Sequence, residues 1–444
     1  MTALAEGPLK SKPKGGAFVA ERQISWASSH GAFPITPPIS DDDSDGSSPD
    51  IIHPDDDPVI AVLGVGYVGS HLVSSFSAQY GVIGFDVSPS RIRQMQDANT
   101  SNEGLQFSCD PCALRRATHF LISVPTLLRD DRSVDSSYLQ EAIRTVGTYA
   151  RQGATVVVES SVAVGMTREL LGPLAKARGF FAGMSPERVD PGRVEPPMRA
   201  IPKIISGLDD LVPGSLAAIQ RVYEKVFDNV VCVSRPEVAE MTKLYENCQR
   251  MVCIAYANEM ADACTSHGID PYEVSSAAAT KPFGYMSYTP SLGVGGHCIP
   301  VNPFYLLCNS EFPLLEQATA TMWNRPKLIA QKAIQALQRQ SPKSGDQHKV
   351  LVVGMAFKAG QSSLSNSPGV ELVSHLASSG KVAAAWADPL VAQEAVTVAP
   401  HLSEGEWRKD VLESFDMIIV SFRQHGLDFG VLDDLQDVQV ESWC

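Results

Sequence analysis

The sequence predicts an α/β protein: two doubly wound units joined by one long central helix, with a disordered N-terminal tail. Three observations predict it. From Pro58 onward, short apolar runs (VIAVLG, VIGFD, HFLISV, TVVVE) alternate with helix-length amphipathic stretches. A single helical pattern runs from Ser234 to Gly268, and a second strand-and-helix series begins near Lys349. Apolar runs of that length bounded by turn residues read as strands buried on both faces, and their alternation with helices reads as a parallel sheet.

Each element has its own justification. Residues 1–57 hold ten acidic and four basic side chains among many Ser, Pro and Gly. They lack the apolar surface needed to offset ordering entropy, and the Asp41–Asp45 acidic run repels itself. In 136–153, Leu139, Ile143 and Val146 fall at helical spacing. The long helix has Ser234 and Glu237 at capping-box spacing, Pro236 in the first turn and Gly268 to end it. At about 1.5 Å per residue it spans roughly 45–50 Å, long enough to bridge domains or subunits. The last section offers KVLVVG, PGVELVSHLASSG, VAAAWAD and DMIIVSF.

Composition sets limits. The 444 residues carry 36 Lys and Arg against 50 Asp and Glu, a formal charge of −14. That balance argues against nucleic acid or an anionic membrane as a general partner. The nine cysteines form an odd, scattered set rather than a disulfide framework. With no signal-peptide pattern and no 18-residue apolar run, the expectation is a cytoplasmic protein with no membrane span.

The clearest motif is Gly64-Val65-Gly66-Tyr67-Val68-Gly69, between a strand and a helix. Its glycines permit a tight turn, backbone approach to a pyrophosphate and close helix–strand packing, although such a turn can also be purely structural. Asp86 ends the next strand, twenty residues after Gly66. A carboxylate there accepts from ribose hydroxyls and repels a 2′-phosphate, so the pair points to NAD in a Rossmann-like domain. A second cluster, Gly295-Gly296-His297-Cys298-Ile299-Pro300, sets a cysteine behind glycines that leave room for a substrate to reach the sulfur. A buried, inert cysteine is the alternative. His297 reads as a local hydrogen-bonding group.

Lys243 and Asn247 lie four apart on one helix face, where a cation and an amide can stabilise an oxyanion or simply face solvent. Glu187 is a candidate general base or a partner of Arg188. Cys109 and Cys112 form one CxxC with no second pair, so no metal is expected.

Together the blocks GVGYVG (64–69), GFDVSPSRI (84–92), VPT (124–126), ESSVAVGMT (159–167), SPERVDPGR (185–193), AEMTKLYENCQRMVCIAYANEMA (239–261), ATKPFGYMSYTPSLGVGGHCIPVNPFYL (279–306) and GMAFK (354–358) resemble the UDP-glucose/GDP-mannose dehydrogenases. These are nucleotide-sugar 6-dehydrogenases that oxidise a sugar C6 alcohol to the acid with two NAD. The resemblance implies a tail over 1–57, an NAD-binding Rossmann domain over 58–233, the long helix and cysteine region over 234–330, and a nucleotide-sugar-binding α/β domain over 331–444. It implies Cys298 as nucleophile, Glu187 as acid/base, and Lys243 and Asn247 at the reacting sugar. Gly64, Gly66, Tyr67, Val68, Gly69, Asp86, Arg91, Thr126 and Ser161 would surround NAD. Lys281, Gly295, Phe357 and Lys358 would hold a UDP-sugar, and the long helix would build a homodimer or higher homo-oligomer. KPFGYMSYTP resembles the branch acting on UDP-N-acetylhexosamines.

Three departures stand out. Asn302 replaces the usual aspartate, Ser365 replaces an arginine expected to reach the cofactor, and Val164 replaces a proline. An amide cannot accept a proton, and a lost general acid or base commonly removes a factor of about 10² to 10⁴. The alternative is therefore a catalytically impaired relative that binds NAD or a nucleotide sugar and acts through partners.

Overall fold

The computed structural model describes residues 51–52, 56–99, 104–190, 192–193, 195–340 and 347–443. Most of the expected tail, 1–57, lies outside them. Near its end, Ile51 forms a parallel bridge with Gln152, and Ile52 N–H donates to the Gln152 carbonyl at 3.1 Å.

The first unit contains β1 (Val59–Leu63), α1 (Tyr67–Phe76), β2 (Gly81–Phe85), α2 (Pro89–Ala98), β3 (Leu105–Ser108) and β4 (His119–Ile122). A small hairpin, β5 (Leu127–Leu128) with β6 (Val134–Asp135), leads to α3 (Ser137–Tyr149), β7 (Thr155–Val158), α4 (Met166–Arg178), β8 (Phe181–Met184), β9 (Lys203–Gly207), α5 (Ser215–Tyr223) and β10 (Val230–Cys232). The sheet order is β10-β9-β8-β7-β4-β1-β2-β3, parallel except where β9 runs antiparallel to β8. Alternate residues of β1 serve opposite faces: Ile60 and Val62 pack with Leu72, Phe76 and Tyr223, while Ala61 and Leu63 pack with Phe120, Leu139 and Ile143. Burial on both faces explains the continuous apolar run, each large side chain contributing about 1.5–3 kcal/mol.

Next come α6 (Pro236–Ser266), α7 (Pro271–Ala279), α8 (Asn302–Leu307) and α9 (Pro313–Gln340), the last passing across residue 330 without interruption. The second unit has β11 (His348–Val353), α10 (Pro368–Ser378), β12 (Val382–Ala387), α11 (Lys409–Leu412), β13 (Met417–Val420) and β14 (Gln439–Ser442), in one parallel sheet of order β12-β11-β13-β14. Among the described residues no helix is long and apolar enough to cross a membrane.

The expected capping box of α6 does not form. Arg235 is the N-cap, with no side-chain cap, because the Glu237 carboxylate is taken by Arg168 Nε of α4 at 2.5 Å. Gly268 does follow the helix in left-handed backbone, φ +67°. The buried stripe of α6 is Ala239, Glu240, Lys243, Leu244, Cys248, Met251, Ala255 and Asn258. Two of its charged members serve different ends. Glu240 accepts the N–H groups of Gly165 (2.6 Å) and Thr167 (2.9 Å), capping α4, while Lys243 makes no hydrogen bond or ion pair among the described residues.

Candidate active site

The glycine turn sits between β1 and α1. Gly64 has φ +85°, and a Cβ on it would meet Ser123 O at 2.8 Å. On Gly69 a Cβ would lie 1.8 Å from Gly64 O, so only glycine lets α1 pack this closely. A Cβ on Gly66 would meet nothing within 4 Å. That open space, at the first turn of a helix with no acidic residue there, suits a pyrophosphate. Tyr67 is exposed, and Val68 packs partly on the core.

Asp86 accepts the N–H of Val65 (3.0 Å) and of Ser88 (2.9 Å), which fixes its carboxylate beside the turn. A carboxylate has about four acceptor sites, so two remain for ribose hydroxyls. Arg91 Nε donates to Val65 O at 2.7 Å, bracing the turn from α2. Thr126 and Ser161, both partly buried, follow the C-terminal ends of β4 and β7 on the same sheet edge. This is where parallel sheets present ligands, and the residues fit NAD.

The cysteine loop is clamped to the second unit. Gly296 N–H donates to Ser365 O (2.8 Å), Asn366 Nδ2 donates to Gly296 O (2.9 Å), and His297 Nδ1 lies 3.0 Å from Ser365 Oγ. The glycines serve this packing: a Cβ on Gly295 would meet Phe357 and Pro368 atoms at 2.9 Å, and one on Gly296 would meet the Phe357 ring at 3.0 Å. The room expected there for a substrate is occupied by Phe357 and Pro368. Ser365, where an arginine was expected, instead holds His297.

Cys298 begins a turn in which its carbonyl accepts from Asn302 N–H at 2.8 Å. Asn302, 2% exposed, in turn accepts from Asn247 Nδ2 at 2.5 Å. Cys298, Asn302 and Asn247 are thus joined, with Lys243 one turn away on the buried stripe of α6. Cys298 is partly exposed, whereas burial pushes Cys248 up to about 12 and Cys308 up to about 11, well above an ordinary thiol. Tyr305 is fully buried, and burial pushes its hydroxyl well above the ordinary value.

The Glu187 side chain does not pair with the Arg188 guanidinium. Arg188 Nη2 donates to Glu246 of α6 at 2.6 Å, and the Glu187 carboxylate instead accepts from Lys203 Nζ at 2.8 Å and from the N–H groups of Arg188 (2.6 Å) and Val189 (2.9 Å). Burial pushes the Glu187 carboxyl up, but Lys203 and these donors outweigh it and hold it below the ordinary value. Lys203 Nζ also donates to Glu159 Oε2 at 2.7 Å, and Tyr223 donates to the other Glu159 oxygen. Burial raises the Glu159 carboxyl, with Lys203 opposing. Farther along the loop, Asp190 faces Lys358 Nζ (3.7 Å) and Arg250 (4.0 Å), linking both units to α6.

A cavity of about 510 Å³ opens between Thr289–Gly293 and the Ala356–Ala359 turn, bordered by Phe357, Lys358, Ser421 and Trp443. Among the described residues, Ser421 Oγ and Trp443 Nε1 are buried without a hydrogen-bond partner, so polar groups are available to a ligand. Lys281 is not drawn in: it is exposed, with Nζ over the Phe283 ring at 5.1 Å. Among the described residues no group of three or more His, Cys, Asp or Glu is placed to hold a metal.

Sequence reasoning missed Glu159, Lys203 and Tyr223. The signal was a charge at the end of an apolar run in TVVVE and another at the start of KIISG, since fully buried Lys and Glu are almost always paired.

Residues 59–227 match the NAD binding domain of the UDP-glucose/GDP-mannose dehydrogenase family, and residues 237–323 match its central domain. The chain is similar to the UDP-N-acetyl-D-mannosamine dehydrogenase of Pyrococcus horikoshii, 32% identical over an alignment of 362 positions that covers 75% of this chain and 84% of that protein. It is also similar to the UDP-N-acetyl-D-glucosamine 6-dehydrogenase of Pseudomonas aeruginosa, 31% identical over 72% of this chain and 80% of the relative. The solved structure of the P. horikoshii UDP-D-ManNAc dehydrogenase superposes with a TM-score of 0.73 at 26% identity, covering 87% of this chain and 99% of that one. A UDP-glucose dehydrogenase from Pyrobaculum islandicum shares the fold, with a TM-score of 0.74 at 22% identity over 88% of this chain and 95% of that one. The chain therefore belongs to the UDP-glucose/GDP-mannose dehydrogenase family, NAD-dependent nucleotide-sugar oxidoreductases.

Proposed function

We propose that this protein oxidises the C6 alcohol of a UDP-sugar, a UDP-N-acetylhexosamine in preference to UDP-glucose, to the uronic acid in two hydride transfers through a cysteine adduct. The observation that carries the reading is the junction of Cys298, Asn302 and Asn247, beside a buried Lys243 that has no hydrogen bond or ion pair among the described residues.

NAD would be held at the glycine turn and Asp86 and would supply the acceptor, one molecule per hydride, so NADH must leave and a second NAD bind between the two oxidations. The residues of the chain do the rest. The Cys298 thiolate attacks the aldehyde carbon formed by the first oxidation, giving a thiohemiacetal whose C–H is lost in the second. The Lys243 ammonium and the Asn247 amide stabilise charge on the adduct oxygen, each such donor being worth about 2.7–4 kcal/mol in comparable sites. Glu187, held as a carboxylate, takes a proton from the water that cleaves the thioester, and the sulfur leaves as thiolate. The phosphates and base of the nucleotide occupy the cavity beside Phe357 and Lys358, with Gly295 holding the loop against them.

The substrate class rests on the relatives near 30% identity, named for UDP-N-acetylhexosamines. Incubation with NAD and UDP-GlcNAc, UDP-ManNAc or UDP-glucose tests it. The expected result is sugar acid from an N-acetylhexosamine donor at a kcat/KM above that of UDP-glucose. No acid from any donor with folded, NAD-binding protein overturns the activity.

We also propose that two copies pair along α6, whose face opposite the buried stripe exposes Met241, Tyr245, Tyr256 and Met260. A Tyr256→Glu variant should shift sedimentation from dimer to monomer, and a wild-type monomer overturns the pairing.

A further inference from the structure

The reaction as derived uses Glu187 and leaves its two charged neighbours without a role. Lys203 is 3% exposed and Glu159 1% exposed. Packing does not require them, because a buried charge cluster is often no more stable than well-packed apolar residues of the same volume. Their geometry is specific. Glu187 Oε1 accepts two backbone N–H groups and Oε2 accepts Lys203 Nζ at 2.8 Å, so both oxygens are tied and the carboxylate cannot rotate. Lys203 is itself braced: Nζ donates to Glu159 Oε2 at 2.7 Å, Tyr223 holds the other oxygen of Glu159, and the Phe227 ring lies 5.5 Å from the ammonium.

We propose that Lys203 is a positioning residue for the oxidation, fixing the Glu187 carboxylate in one orientation and in its ionised form, with Glu159 and Tyr223 as the brace that keeps the ammonium shared. The proposal rests on the reading of Glu187 as the base. It makes Glu187 a base throughout the cycle, never a proton donor in its resting state. The groups facing Glu187 are Lys203 from β9, Glu159 from the end of β7, Tyr223 from α5 by way of Glu159, Tyr67 from α1, and the Arg188 and Val189 N–H groups of its own loop, the Arg188 guanidinium being engaged by Glu246 of α6. One cation thus serves two buried carboxylates. Removing the cation and removing the second carboxylate must move the protonation of Glu187 in opposite directions.

The test uses the full chain and the variants Lys203→Met, Lys203→Arg and Glu159→Gln, with pH profiles of kcat and KM. Glu187 is also followed by carbon NMR of glutamate-labelled protein, assigned with Glu187→Gln. Lys203→Met should move the acid limb of kcat upward by about one pH unit or more. Its plateau kcat should fall about 10-fold or more, with KM little changed. Lys203→Arg should return the limb close to that of the parent, and Glu159→Gln should move it downward. An unmoved limb in Lys203→Met, or equal defects in the Met and Arg variants, overturns the proposal. If Lys203→Met does not fold, the downward shift in Glu159→Gln and the Arg result decide it. If the parent oxidises no sugar, the functional reading fails, while the NMR titration of Glu187 in the same variants still supports or overturns the hold by Lys203.

Discussion

Asn247 Nδ2 donates to the side-chain oxygen of Asn302, and the Asn302 backbone N–H donates to the Cys298 carbonyl. The two amides fasten α6 to the turn that carries the thiol. An aspartate at 302 keeps the same acceptor and adds a group able to exchange a proton. The chain thus retains the geometry of the junction while giving up one proton acceptor.

Asn302→Asp is therefore expected to raise kcat by about 10-fold to 100-fold at neutral pH, part of the factor general acid–base catalysis supplies. Steady-state kinetics with the preferred UDP-sugar checks it. An unchanged or lower kcat shows that position 302 serves orientation alone.

Two glycine substitutions separate packing from ligand approach. Gly69→Ala places a methyl 1.8 Å from Gly64 O and should destabilise the fold by about 2–3 kcal/mol or more, read in denaturant unfolding. Gly66→Ala adds its methyl to open space, so stability should hold while NAD binding weakens at least about 10-fold, because the pyrophosphate loses its approach. Calorimetric titration with NAD is the readout, and unchanged affinity in Gly66→Ala removes the pyrophosphate from that turn.

His119, on β4, gives a pH dependence of a stated sign. Burial, with Arg221 nearby, lowers its ionisation to about 4. Its unfolded value is near 6.5, so its contribution is complete above that pH and is lost as pH falls toward the folded value, up to about 3 kcal/mol in all. Urea midpoints between pH 7 and 4 should fall more steeply for the parent than for His119→Gln. Parallel curves contradict the assignment.

The parts legible in the sequence were those whose physics is local. A strand, a glycine turn and a strand-end carboxylate lie within about thirty residues, and the steric reasons for Gly64 and Gly69 act within that span. The long helix was legible from its period. Its start was not, since the partner that takes Glu237 away from capping is Arg168, on another helix. The bond from Lys203 to Glu159 joins residues 44 apart, brought together only by sheet order and register. The glycines before Cys298 invited a reading as space for substrate, and only the second unit reveals that Phe357 fills it. From spacing alone Lys243 reads as a solvated lysine, and its burial follows from how α6 seats against the first domain.

The measurement that bears most directly on the central claim is the number of NADH formed per molecule of UDP-sugar consumed, for the parent and for Cys298→Ala. Capture of the aldehyde by Cys298 predicts two NADH per sugar acid in the parent, no acid from the alanine variant, and an unchanged melting temperature. One NADH with a released aldehyde in the parent, or acid formed by Cys298→Ala at the parent rate, contradicts it.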